Sequence, residues 1–324
     1  MATQDYLKLL RKARETKIKL TNESIKEIRD LYKDVYKKVC KDLEKSKPGT
    51  LNERWLQEYK KELLKEIQRI NKHIEDIITD KVEKTVDAQI DVQLQFFSYI
   101  SSRFNLKLEP TFSSMFSEIK TNVIKELIHG DMYKDRKGLS ERIWKDTKRF
   151  EKDINTIVME GIAQKKSTLE IAKDLEIYVS PDAKKKFDWS KIYPGTKTKV
   201  DYNAQRLART SINHAYQQAL KRSCEKNPYV EGIEWVSSLI HGRTCKLCEK
   251  RHGTIYEATK NEGRYTTEPV PIDHPNGLCT LIPVIEKDFE EIGKELRSWI
   301  DGESNLKLDL WLSKYGKDFL PKEK

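Results

Sequence analysis

The chain has 324 residues, and its 62 lysines and arginines exceed its 52 aspartates and glutamates, for a formal net charge of +10. With 37% hydrophobic and 35% charged residues it is polar, yet β-branched and aromatic residues recur throughout, which argues against disorder and for long amphipathic helices in about two domains. No run approaches the ~18 consecutive apolar residues of a membrane span, and the basic N-terminus lacks the apolar core of a secretory signal.

From Thr21 to Leu43, the apolar residues Ile25, Ile28, Tyr32, Val35 and Val39 step by three and four, which predicts one helical face. The run Ser46-Lys47-Pro48-Gly49-Thr50 breaks it. A second helix is predicted from Asn52 almost to Pro110, through Leu63, Ile67, Ile70, Ile74, Ile77, Ile78, Val82, Val86 and Ile90. Some 50 helical residues would extend about 75 Å. The pair reads as an antiparallel hairpin or stalk, either in a plain bundle or in an oligomeric coiled coil.

A third helix is expected from Pro110 to Gly130, and a fourth over 139–163 with Ile143, Thr147, Phe150, Ile154, Ile157 and Ile162 near one face. Ser167 and Glu170 have capping-box spacing and open a short helix through Leu175. Residues 180–199, with Pro181, Pro194 and Lys184-Lys185-Lys186, read as a connection. Helix returns over 200–227, where Ala204, Ala208, Ser211, Ala215 and Ala219 form a small-residue packing face. Glu234–Ser237 and Gly253–Tyr256 read as strands, and a last helix is predicted from about Ile285 to Trp299. Leu306–Leu320 alternates briefly and carries no assignment. The fold class is therefore mainly α, α+β overall: a long-helix N-terminal hairpin or bundle followed by a small α+β module.

The chemistry concentrates near the C-terminus. Five cysteines, Cys40, Cys224, Cys245, Cys248 and Cys279, are odd in number and clustered, which fits a reducing compartment with a metal site better than a disulfide scaffold. Cys245 and Cys248 form a C-x-x-C knuckle; His274 and Cys279 follow after 25 residues. Two thiolates from one turn and a His/Cys pair from another suit tetrahedral Zn²⁺ in a structural site. His252 is a candidate substitute ligand. The competing reading has Cys245 and Cys248 as ordinary thiols on a turn and His274 as a loop histidine. Cys40 and Cys224 read as small buried hydrophobes.

Enzymatic readings find less support. A zinc deaminase needs His-x-Glu shortly before Pro-Cys-x-x-Cys, but His73-Ile74-Glu75 lies far upstream and Thr244 precedes Cys245. A nuclease core starting at Asp273-His274 would want further ligands, and no histidine follows. A redox pair would want a helix opening at the first cysteine, which Gly242 and the charged loop after it do not suggest. No phosphate-cradling glycine loop, serine elbow or H-E-x-x-H is present. The chain is not expected to be an enzyme.

Charge points weakly to nucleic acid. Residues 1–50 carry 14 basic and 8 acidic side chains, with Lys8, Arg11, Lys12, Arg14, Lys17 and Lys19 the densest group. They are candidate DNA contacts, with a solvated amphipathic helix end as the simpler account.

Ala204-Gln205-Arg206-Leu207-Ala208-Arg209-Thr210, then Gly232-Ile233-Glu234-Trp235, Arg243-Thr244-Cys245-Lys246-Leu247-Cys248, His252-Gly253, His274-Pro275-Asn276 and Cys279 occur in this order. The set, over roughly residues 140–285, resembles the C-terminal domain of tailed-phage head morphogenesis proteins, the Mu F-like minor head proteins. Ile171–Leu175 is similar to the segment that precedes that domain. The chain departs from the family's pattern in His241, where an acidic residue is usual, in Ser211 after Thr210, and in Gly277 and Leu278, which replace a Cys and an Arg. The resemblance implies a helical N-terminal region over 1–137, a head-morphogenesis module over 138–300 containing the 180–199 connection, and a tail over 301–324. It also implies a minor capsid protein of the virion head, present in the host cytoplasm during assembly. Such a protein binds the portal and procapsid, and in some relatives contacts phage DNA. A zinc-ribbon nucleic-acid-binding regulator is the alternative, and a metal-dependent nuclease or redox enzyme a more distant one.

Overall fold

A computed structural model describes residues 4–44, 53–106, 109–179, 200–237, 239, 244–259, 264–265 and 270–315. The expected helix break at 46–50, the 180–199 connection, His241, Arg243 and the side chains of Val39 and Cys40 lie outside the described residues.

The chain is mainly helical with a small antiparallel sheet. In order it forms α1 (Gln4–Glu44), α2 (Glu53–Phe104), α3 (Glu109–His129), α4 (Leu139–Ala163), α5 (Thr168–Val179), α6 (Val200–Glu225), β1 (Gly232–Val236), α7 (Lys246–Arg251), β2 (Ile255–Thr259), β3 (Arg264–Tyr265), β4 (Thr280–Val284), α8 (Phe289–Ile300) and α9 (Leu306–Tyr315). Two compact units result, each assembled from separated stretches. One comprises Met1–Leu20, Val82–Leu127 and Thr210–Lys324; the other comprises Thr21–Lys81 and Ile128–Arg209. Helices α1, α2, α3 and α6 therefore each contribute to both.

In the second unit, Ile28, Tyr32 and Val35 of α1 and Leu56, Leu63, Ile67, Ile70, Ile74 and Ile78 of α2 are buried. Full burial of such side chains is worth roughly 1.5–3 kcal/mol each. The Glu27–Lys81 ion pair at 3.0 Å and the Lys38–Glu66 pair fix α1 and α2 as antiparallel. Helix α4 buries Ile143, Thr147, Phe150, Ile154 and Ile157 as expected. Ile162 is instead 43% exposed, because the buried stripe ends on Val158 and Gly161. Gly161 is required there: a Cβ would lie 2.7 Å from Ile171 Cγ1 of α5. The capping box that opens α5 is formed, with the Ser167 amide donating to Glu170 Oε2 at 2.8 Å and the Glu170 amide donating to Ser167 Oγ at 3.3 Å.

The first unit has an aromatic core in which Phe96 packs edge-on against Tyr6 at 5.4 Å and Phe289 at 5.0 Å. Its sheet has the order β3-β2-β1-β4. β1 is central, pairing Ile233 with Tyr256 on one side and Trp235 with Leu281 on the other. Here the final helix differs from expectation. Thr280–Val284 is a strand, and α8 begins only at Phe289, where Asp288 and Glu291 make a capping box. Pro283 is tolerated because β4 lies at the end of the sheet order. Residues 306–315 of the expected tail form α9, which buries Leu308 and Trp311 and donates from Trp311 Nε1 to the Lys226 carbonyl at 2.9 Å.

Candidate metal centre

Two segments of the first unit converge. The earlier one leaves β1, and Cys245 serves as N-cap of α7 in an extended conformation (φ −79°, ψ 154°). The C-x-x-C spacing thus places Cys245 and Cys248 on one side of a helical turn. A helix does open at the first cysteine, against the expectation drawn from Gly242. Cys245 is exposed and Cys248 is 2% exposed. Ser237 Oγ donates to the Cys248 carbonyl at 2.7 Å, and the Gly253 amide donates to the Trp235 carbonyl at 2.9 Å. Both bonds tie α7 to the end of β1.

The later segment, 270–279, leads into β4 and is organised by Asp273. Its Oδ1 accepts the His274 amide at 2.8 Å, and its Oδ2 accepts the Cys279 amide at 3.1 Å. One carboxylate therefore sets the backbone of both later candidate ligands.

Helix α6 holds this loop along its length. Thr210, Asn213, His214, Gln217 and Lys221 recur at three- and four-residue steps, so they share one face, and all are buried. Thr210 Oγ1 accepts the Asn276 amide at 2.9 Å, and Asn213 Nδ2 donates to Asp273 Oδ2 at 3.1 Å. His214 Nε2 lies 2.9 Å from the Asp273 carbonyl. Gln217 accepts from the Asp273 amide at 3.3 Å and donates to the Cys279 carbonyl at 2.9 Å. Lys221 Nζ donates to the Val270 carbonyl at 2.9 Å.

These clamps bring the ligand atoms of Cys245, Cys248 and His274 within 4.8 Å of one another, and likewise those of Cys248, Asp273 and Cys279. Cys248 belongs to both groups. All four predicted ligands thus gather around it, with Asp273 as an unpredicted fifth donor. The donor chemistry fits a metal ion: two or three sulfurs and one imidazole suit a soft cation. His274 Nδ1 lies 3.1 Å from the Pro275 carbonyl oxygen. That oxygen only accepts, so the ring proton belongs on Nδ1 and Nε2 is left for a metal. Burial, with Cys279 and Cys245 alongside, pushes the Cys248 thiol well above its ordinary value. The Cys248 amide and thiol lower that of Cys245. Burial also raises the Asp273 carboxyl, against the pull of His274. A bound cation favours the deprotonated thiols.

Two predicted positions fall elsewhere. His252 Nδ1 accepts from the Ser237 amide at 3.1 Å, bracing β1 and not joining the cluster. Lys17 is not on the basic surface: it is 6% exposed, and its Nζ donates to Asn213 Oδ1 at 2.9 Å. Nucleic acid cannot reach it. Lys8, Arg11, Lys12, Arg14 and Lys19 are exposed, Lys8 pairing with Asp5 at 2.9 Å. No helix among the described residues is long and apolar enough to cross a membrane.

No family model, curated protein or solved structure matches the chain.

Proposed function

We propose that this chain is a minor head protein of a tailed phage, which binds the portal and procapsid and acts in head assembly and in DNA packaging or delivery. The observation that carries this reading is that described parts of the motif segments, scattered from Thr210 to Cys279, lie together in one compact unit, joined by hydrogen bonds and by the proximity of candidate ligand atoms. Thr210 holds Asn276, β1 holds α7 through Ser237, and His274 joins Cys245 and Cys248.

In this reading Cys245, Cys248, His274 and Cys279 hold a structural Zn²⁺, whose contribution is to staple α7 to the 270–279 loop. Asp273 already accepts three N–H bonds, so Cys279 is the fourth ligand and Asp273 its brace. The work of the protein is binding. The exposed cations Lys8, Arg11, Lys12, Arg14 and Lys19 form a stripe on α1 that suits the phosphate backbone of phage DNA, with an affinity that falls steeply as salt rises.

The test is to express the chain with its own portal and coat proteins, purify the particles and identify their components by mass spectrometry. Retention in procapsids that contain portal, and loss from those assembled without it, is the expected outcome. A chain that remains wholly outside the particles overturns the reading. Sequence-selective DNA binding by such a free protein would favour the zinc-ribbon regulator.

A further inference from the structure

Lys17 occupies a position where an apolar residue would be expected. Tyr6, Leu10, Ala13, Lys17, Leu20 and Ser24 are all buried and recur at steps of four and three, so they share one face of α1. A lysine in that row is costly unless its ammonium is partnered. Its Nζ lies 4.9 Å from the centre of the Tyr216 ring and 2.9 Å from Asn213 Oδ1. The Asn213 side chain has one acceptor and one donor end, and both are used. The oxygen takes the Lys17 proton, and the nitrogen donates to Asp273 Oδ2. Asp273 in turn holds the amides of His274 and Cys279. A continuous polar chain therefore runs from α1, through α6, to the two ligands of the later segment, and every link lies in the same compact unit. Asn213 and Asp273 are as buried as Lys17, so solvent cannot replace a lost link.

We propose that Lys17 is a positioning residue for the metal-binding loop: through Asn213 and Asp273 it fixes His274 and Cys279, so that seating of α1 and loading of the metal are coupled. The metal half of this statement rests on the zinc reading above; the brace does not. Coupling of this kind is reciprocal. Loosening α1 weakens the metal site, and an emptied site loosens α1.

The experiment compares the full chain with Lys17→Met, which retains bulk while removing the ammonium, and with Lys26→Met on the exposed side of the same helix. Each protein is freed of metal, treated with iodoacetamide for graded times, and its cysteines are followed separately by peptide mass spectrometry. Cys224, buried in α6, reports general loosening. Lys17→Met is expected to raise the labelling rates of Cys248 and Cys279 about tenfold and leave Cys224 slow, with Lys26→Met like the parent. Unchanged protection of Cys279 overturns the proposal, and so does a parallel rise at Cys224. Cobalt(II) competition on the same proteins should show about tenfold weaker binding for Lys17→Met. A parent chain that takes up no cobalt removes the metal reading while the labelling still decides the brace. If Lys17→Met does not fold, Lys17→Leu, which likewise removes the donor and suits the apolar row of α1, is read by the same criteria.

Discussion

Gly277 faces the Asp273 carboxylate so closely that a Cβ built on it would lie 2.2 Å from Oδ2 and 2.3 Å from Cγ. No flexible side-chain end can yield here, because that carboxylate is held by three N–H donors. Gly277→Ala should therefore destabilise the protein by roughly 1–3 kcal/mol, as overpacking of a fixed site does. It should also weaken metal binding, since Asp273 cannot move without releasing His274 and Cys279. Thermal melting and cobalt titration of the variant check both parts; a variant that melts and binds like the parent would contradict the clash.

Cys245 and Cys248 separate ligation from packing. Cys245 is exposed, so Cys245→Ser should leave the stability of the metal-free chain within about 0.5 kcal/mol of the parent. The same change should abolish the drop in melting temperature that a chelator causes in the loaded parent. A metal held at 100 times its Kd stabilises by about 2.7 kcal/mol, which sets the scale of that drop. Cys248→Ser should lose the metal effect and destabilise the apo protein as well, because it puts a hydroxyl into a buried site. Melting curves of both variants with and without chelator would reveal any departure from this order.

Lys221 supplies a pH dependence. Burial lowers its amine from the ordinary 10.5 to about 8, against the pull of Glu225. Between pH 8 and about 10 the unfolded chain then binds more protons at this site than the native chain does. Stability contributed by this group therefore rises with pH through that window, and the burial penalty is fully present below it. Lys221→Met should flatten the slope. Urea unfolding of parent and variant at pH 7.5 and 9.5 measures it, and identical slopes would show that Lys221 does not titrate as described.

At the start of α5, Ser167→Ala removes the side-chain oxygen that accepts the Glu170 amide. A loss of about 1 kcal/mol is expected. Glu170→Gln should be milder, because an amide oxygen still accepts from Ser167. Denaturant midpoints rank the two.

Much of the helical layout was legible. Helix α2 shows as an unbroken apolar period, and the bounds of α4 follow from Gly138 and the change of pattern after Ala163. β4 was not legible, because Thr-Leu-Ile-Pro-Val is short and its proline suits neither a central strand nor a helix interior. The C-x-x-C and the late His/Cys pair identified the cluster. The polar face of α6 that assembles it was hidden behind the alanine stripe, although Thr210, Asn213, Gln217 and Lys221 have helical spacing of their own. Lys17 is placed by charge alone among the candidate DNA contacts on a solvated helix end. Its alignment with Tyr6, Leu10, Ala13 and Leu20 was the contrary signal, and it was available in the residues.

The interleaving of the two units bears on how the chain is made. A ribosome delivers Met1–Leu20 first and Val82–Leu127 well before any residue after 210, yet these three stretches make one unit. Gln93, which donates to Tyr6 Oη, is made early, but Asn213, whose Oδ1 accepts from Lys17 on the buried face of α1 at 2.9 Å, emerges more than a hundred residues later. The apolar face of the first helix must therefore wait, uncovered on that side, while most of the chain is still being synthesised. A chaperone bound to nascent chains would be expected to dwell on that face until the last third is out.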